Sequence, residues 1–261
     1  MNNLAKNFEA IRNSQQHGFI PFIQAGDPDN ETTLQILRVL AEFDPVAIEL
    51  GVPFSDPVAD GPIIQRASQR ALLNNNTAVS DVLNIAAEFR KNSQTPIVLF
   101  GYLNPFLNFG LEKLASECAD IGIEAVLITD IVNEEFQTLS ELLFTKRIEL
   151  ISLVAPTTNQ LRLRKICAHA RGFIYAIAKK GVTGKDSNGV EDARSLVENI
   201  RAETELPVAV GFGISNSDDF KNVSEYADAA VVGSAIVSVV ETSGKQDVEE
   251  NVRSFVTQLL A

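Results

Sequence analysis

The feature that most restricts the fold of this chain is an alternation. Eight short apolar runs rich in β-branched residues occur at residues 19–24, 46–50, 96–101, 125–129, 148–154, 173–178, 207–212 and 229–232. Helical patterns are predicted over residues 4–15, 31–43, 63–73, 78–90, 111–121, 134–144, 160–170, 189–204, 234–240 and 248–260, and Tyr102-Leu-Asn-Pro105 reads as a loop. Runs this short and this continuously apolar suit strands buried on both faces. Strands that alternate with helices must run parallel, each helix serving as the crossover. Eight such units, with no composition shift or linker between them, predict α/β architecture. Residues 1–261 are expected to form a single (β/α)8 TIM barrel domain with an extra N-terminal helix. An open doubly wound sheet is the alternative, but it has no need of eight evenly spaced units.

With 261 residues and 45% apolar content, the chain is long enough for one large core. Its net charge of −12 argues against nucleic acid or an anionic membrane as a partner, and any anionic ligand must be held by local backbone donors. Cys118 and Cys167 lie within amphipathic helical patterns, which suits a reducing cytosol without a disulfide framework. The start, Met1-Asn-Asn-Leu-Ala-Lys6, has no apolar core of signal length, and no stretch approaches a membrane span. A cytoplasmic protein is expected.

The second apolar run is interrupted by a charge. Glu49 stands near its C-terminal end, where an acid is costly unless it works or is paired. The segment after it, punctuated by Pro53, Pro57, Gly61 and Pro62, reads as a structured loop with two further acids, Asp56 and Asp60. In a parallel barrel the strand C-termini and the loops beyond them build the active site. That rule brings Glu49, Asp60, Tyr102, Thr129, Asp130, Tyr175 and Thr183 to one rim. Glu49 and Asp60 form a candidate acid/base pair. Each also has a structural reading: Glu49 as the buried partner of a base on a neighbouring strand, Asp60 as a helix cap before Gly61-Pro62. Asp56 reads as a solvated loop acid, and Asp27 and Asp130 as turn or cap residues or as partners of the acidic loop.

Glycines mark a second constellation. Gly211-Phe-Gly-Ile-Ser215 follows the seventh run and Gly233-Ser-Ala235 follows the eighth, the two loops where such barrels hold phosphate on a short helix N-terminus. Gly184 is close enough in barrel order to add a donor. The first motif lacks the third glycine of a dinucleotide fingerprint and comes too late in the chain. His17 and His169 are far apart, so no metal cluster is visible, and no nucleophile elbow occurs. Lys179 and Lys180 could supply a Schiff-base amine, but a solvated basic pair beside a loop is preferred because the apolar run has already ended.

The stretch Glu49-Leu-Gly-Val-Pro-Phe-Ser-Asp-Pro-Val-Ala-Asp-Gly-Pro62 resembles the signature of the tryptophan synthase alpha chain family. The resemblance runs nearly end to end, from Gly26-Asp27-Pro28 through Gly181-Val-Thr-Gly184 and Gly211-Phe-Gly-Ile-Ser215 to Gly233-Ser234-Ala235. It implies a retro-aldol cleavage of indole-3-glycerol phosphate to indole and glyceraldehyde 3-phosphate. It further implies that Glu49 is the general acid/base and that Asp60 holds the indole N–H. Phe22, Tyr102, Leu127, Tyr175, Thr183 and Phe212 would surround the substrate, and Gly184, Gly213, Gly233 and Ser234 would hold its phosphate. No cofactor is implied in this chain. A beta chain carrying pyridoxal phosphate is the implied partner, in an alpha2beta2 heterotetramer, contacted around Pro53, Asp56, Asn104 and Asn108. Thr129-Asp-Ile-Val-Asn133 lacks the proline usual after that aspartate, and Lys179-Lys180 stands where arginine often precedes the glycine motif. A stand-alone lyase that releases free indole is the alternative, with a non-catalytic activator of a beta chain as a third reading.

Overall fold

The computed structural model describes residues 2–14, 16–131, 133–178, 188–211 and 213–261, the side chains of residues 133–135 and 188–192 aside. In chain order the first half comprises α1 (Asn3–Ser14), β1 (Gly18–Gln24), α2 (Asn30–Ala41), β2 (Ile48–Gly51), α3 (Pro62–Asn75), α4 (Val79–Arg90), β3 (Ile97–Gly101), α5 (Leu103–Phe109), α6 (Leu111–Ile121) and β4 (Ala125–Ile128). The second half comprises α7 (Asn133–Thr145), β5 (Glu149–Val154), α8 (Gln160–His169), β6 (Ile174–Ile177), α9 (Asn188–Arg201), β7 (Val208–Gly211), α10 (Ser217–Ser224), β8 (Ala229–Val232), α11 (Ser234–Thr242) and α12 (Val248–Leu260). The strands pair in parallel in sequence order, and β8 returns to β1, so the sheet closes into the expected barrel.

Strand parity decides what faces the barrel axis. Phe22, Glu49, Val98 and Ala125 are register partners across β1 to β4 and so share one face. Ile20, Val98, Ala125, Leu127, Ile151, Phe173, Ala209, Ala229 and Val231 pack together as the inner core. The alternate residues, among them Ile23, Leu50, Leu99, Val126, Leu150 and Val210, pack with the helices in the outer core. Leu4 and Phe8 of α1 join the inner cluster, with the Phe8 and Phe173 ring centroids 5.4 Å apart, so the extra helix closes the N-terminal end of the barrel.

Three expectations are corrected. The segment after β3 is not a loop: Tyr102 is the N-cap of α5, about two turns of helix that anchor Phe106 in the core. Residues 217–224 form a helix, α10, which sequence reading left out. It is started by Asn216, whose side chain accepts from the Asp219 N–H. The second strand covers Ile48–Gly51 rather than residues 46–50, so Glu49 is its second residue and not its end.

An ion cluster joins three elements on the rim. Asp27, 3% exposed, accepts two hydrogen bonds from Arg70 of α3, at 2.8 and 2.7 Å. Arg70 also donates to Glu241 of α11 at 2.6 Å, and Arg66 grips the same carboxylate at 2.7 Å through two nitrogens. Rather than serving as a turn or cap residue or as a partner of the acidic loop, Asp27 pairs with α3 beyond that loop, and Asp29 caps α2. Arg70→Met would strand a buried carboxylate. Losing one member of a fully buried pair costs about 3–5 kcal/mol. The Arg70 side chain is 27% exposed, so urea titration should show a loss nearer about 2–4 kcal/mol. An unchanged midpoint would show that the cluster holds nothing.

Candidate active site

The C-terminal mouth of the barrel collects the predicted acids. Glu49 is 1% exposed, and neither carboxyl oxygen has a hydrogen-bond partner among the described residues. Among the described residues no base pairs with Glu49, whose strand neighbours are Phe22 and Val98, so the paired-carboxylate reading finds no support there. A buried carboxyl without partner is forced toward its neutral form. Burial pushes Glu49 up from 4.5 to about 8, so it holds a proton at neutral pH.

Asp60 is built into a tight turn. Its N–H donates to the Pro57 carbonyl at 3.0 Å, and its own carbonyl accepts from the Gln65 side chain at 3.0 Å. The N-cap of α3 is Gly61, with Pro62 in the first turn, so Asp60 is not the cap that its position suggested. Burial raises its carboxyl to about 6, opposed by a hydrogen bond from the Tyr102 hydroxyl. Asp60 is thus largely ionised where Glu49 is largely protonated. Two acids held apart in this way can divide the roles of proton donor and fixed negative charge.

Tyr102, 2% exposed, lies beneath this loop. Its oxygen accepts from the Ala59 N–H at 3.0 Å, and its ring packs 5.2 Å from that of Phe54. Asp130 fixes the start of α5 by accepting from the Leu103 N–H at 2.7 Å, again a structural partner. The Tyr175 phenol is pushed well above its usual range by burial and by the charges of Glu49 and Asp60, so it shares their field.

Phe22 and Leu127 face the same interior. The ring of Phe22 meets that of Phe100 edge to face, 5.2 Å between centroids, a wall residue that sequence reading missed. The missed signal is parity, since Phe100 lies two residues beyond inward-facing Val98. Gly51 and Gly211 were also missed as space-makers. A Cβ on Gly51 would stand 2.7 Å from the Phe22 ring, and one on Gly211 2.4 Å from the Tyr175 oxygen.

At the expected anion position, α11 begins at Ser234 behind Gly233, with no side-chain cap. The N–H groups of its first turn therefore point out of the helix without an intrahelical acceptor, at the positive end of the dipole. Gly213 has φ +68° and open space around its Cβ position, so its backbone is bare on that side. Thr183, Gly184 and Phe212, like Lys179 and Lys180, lie outside the described residues. Of the four predicted contact residues, Pro53 is buried, while Asp56, Asn104 and Asn108 are exposed. Asn104 and Asn108 stand one turn apart on α5, with half-exposed Leu107 between them. No group of three or more His, Cys, Asp or Glu able to hold a metal ion occurs among the described residues. No described helix is long and apolar enough to cross a membrane.

Comparison with known proteins agrees with this geometry. The family model described as tryptophan synthase alpha chain matches residues 8–260. A tryptophan synthase alpha chain of Caulobacter vibrioides is 44% identical over 248 residues, covering 95% of this chain and 89% of its own. One from Thioalkalivibrio sulfidiphilus is 40% identical, covering 100% and 97%. Among solved structures, a tryptophan synthase alpha chain from Legionella pneumophila superposes with a TM-score of 0.90 at 30% identity, covering 100% of this chain and 96% of its own. A chain of tryptophan synthase from M. tuberculosis, in an aminoacrylate-bound form, superposes with a TM-score of 0.89 at 28% identity, covering 100% and 99%.

The raised pKa of Glu49 makes stability depend on pH. Between about 5 and about 8, the folded chain keeps a proton on Glu49 that the unfolded chain releases. Stability therefore falls as pH rises through that window and levels off above it. Glu49→Gln removes this titration, so its stability relative to the parent chain should grow with pH, by at most about 1.4 kcal/mol per pH unit. Urea unfolding of both proteins across the window checks this; a constant difference would mean that Glu49 is not held protonated.

Proposed function

Because the chain belongs to the tryptophan synthase alpha chain family, we propose that Glu49 and Asp60 carry out the family's reaction here, in one domain spanning residues 1–261. The reaction is the retro-aldol cleavage of indole-3-glycerol phosphate to indole and glyceraldehyde 3-phosphate, by the alpha subunit in tryptophan biosynthesis. The observation that carries the residue assignment is the Glu49 carboxyl, buried inside the barrel and without a partner among the described residues.

In this reading Glu49 starts protonated and gives its proton to C3 of the indole ring. The ring becomes an indolenine cation, and the ionised carboxylate of Asp60 accepts the N–H and stabilises the positive charge. Glu49, now a carboxylate, takes the proton from the side-chain hydroxyl next to the ring. The carbon–carbon bond breaks, its electron pair returns to the ring, and an aldehyde is left. Phe22, Phe100, Leu127 and Tyr175 would enclose the flat substrate and exclude water. Gly213, Gly233 and Ser234, with Gly184, would hold the phosphate through backbone N–H groups, locally reversing the repulsion of an acidic chain. Tyr102 would border the substrate and also hold the loop that presents Asp60.

We assign no cofactor to this chain. Its partner would be a beta chain that holds pyridoxal phosphate, in an alpha2beta2 assembly in the cytoplasm, docked against Asp56, Asn104 and Asn108. The acidic loop is fastened to α5 through Tyr102, so a partner pressing on either would bear on Asp60.

Glu49→Gln should lower kcat by about two orders of magnitude or more, the scale of general acid–base catalysis. Asp60→Asn should be similarly severe because it removes the charge that faces the indolenine. Cleavage near the native rate in Glu49→Gln would refute the mechanism. For the partner, steady-state indole release should rise on adding a beta chain, and Asp56→Ala should blunt that rise while leaving the basal rate nearly intact. Rapid turnover by the isolated chain, unchanged by the beta chain, would favour the stand-alone lyase.

A further inference from the structure

Two helices meet beside the mouth of the barrel, and each begins at one end of the proposed substrate. α3 starts at Pro62, just after Asp60 and Gly61, and α11 starts at Ser234, the proposed anion position. Ala67 of α3 and Val237 of α11 share one apolar cluster with Phe22, and Ile63, Ile64 and Phe100 pack against it. Ser68 of α3 donates to the Gln24 side chain at 3.1 Å, and Gln24 donates to the Gly51 carbonyl at 2.8 Å. α3 is thereby tied to the end of the strand that carries Glu49.

The charges between the two helices are unfavourable on either helix alone. Glu241 is the one charged residue of α11 and stands in its last turn, at the negative end of the helix dipole. Arg66 and Arg70 are one turn apart on α3, a spacing at which like charges repel. The contact between the helices resolves both conflicts. Arg66 closes on Glu241 with two bonds of 2.7 Å, and Arg70 adds a third at 2.6 Å. Arg70 is itself held by Asp27. A carboxylate gripped by three charge-assisted bonds has a defined geometry, so what these residues gain is a fixed placement of α11 against α3.

Resting on the assignments of Asp60 and of the anion position made above, we propose that Glu241 is a positioning residue for the cleavage reaction. Through Arg66 and Arg70 it sets the distance between the start of α11, where the phosphate would sit, and the carboxylate of Asp60, where the ring N–H would sit. A ligand that carries ring and phosphate on one short chain must reach both points at once, so that distance enters its affinity and its rate of reaction. Indole and phosphate bound as separate molecules do not feel it.

The probe is indole-3-propanol phosphate, an unreactive analogue with ring and phosphate joined by a three-carbon chain. Its binding to the folded chain is compared by calorimetry with that of indole and of inorganic phosphate, each added alone. In Glu241→Ala the analogue should bind roughly tenfold more weakly and kcat should fall by a similar factor, the scale of a small misplacement of bound groups. The affinities for indole alone and phosphate alone should stay at the parent values. Arg66→Ala removes a half-exposed side chain and keeps the Arg70 bonds, so it should show the same pattern to a smaller degree. It decides the matter if Glu241→Ala does not fold. A cluster that only stabilises would lower the urea midpoint and leave the analogue's affinity and kcat at the parent values, and that result would overturn the proposal. So would an equal loss for the analogue and for the separate ligands, the mark of a general distortion. A parent chain that binds neither indole nor phosphate would remove the site reading itself, and with it the role of Glu241.

Discussion

The site depends on one constraint: a carboxyl group held inside a closed barrel with nothing to pair with. In water Glu49 would be a weak acid, ionised at neutral pH. In the barrel interior its ionised form loses solvation that no neighbour replaces, and the group is driven to about 8. Barrel closure is what makes the desolvation complete. An open sheet would leave an edge through which water could reach the second strand. Inward-facing alanines at positions 125, 209 and 229 leave the axis room for this acid and for the rings of Phe22 and Tyr175.

Asp60 shows the opposite use of the same physics. It sits on a loop, partly exposed, and burial raises it only to about 6, with the Tyr102 hydroxyl opposing the shift. The two acids therefore stay about two units apart, and each is suited to a different half of the reaction. What keeps the loop in place is a set of contacts from the neighbouring unit. Tyr102 holds the Ala59 N–H, Phe54 covers the Tyr102 ring, and Asp130 fixes the start of α5. The Arg70 cluster does comparable work on the other side, tying α3, which begins right after Gly61, to α11, which begins at the proposed anion position.

Much of this was legible before any coordinates. The eight β-branched runs specify eight strands because periodicity and length are local properties, and parallel closure follows from the helical stretches between them. Glu49 stood out because a charge in a continuous apolar run is conspicuous. Gly213 and Gly233 stood out because loops seven and eight of such a barrel have a known use. The misses share one cause, which is dependence on neighbours distant in sequence. Residues 102–105 read as a loop because asparagine and proline are weak helix formers. They form α5 because burial of Phe106 and the bond from Asp130 stabilise it. The α10 segment, short and polar on its outer face, is helical because Phe220 and Val223 meet the core.

The sequence by itself determined the strand count, the barrel class, the acid pair and the placement of the glycines, all set by residue type and spacing along the chain. Only the tertiary structure bears on the structural alternative offered for each acid. Whether Glu49 has a cationic partner depends on what Phe22 and Val98 bring beside it, and they bring none. Whether Asp60 caps a helix depends on a turn one residue long, in which Gly61 takes the cap instead.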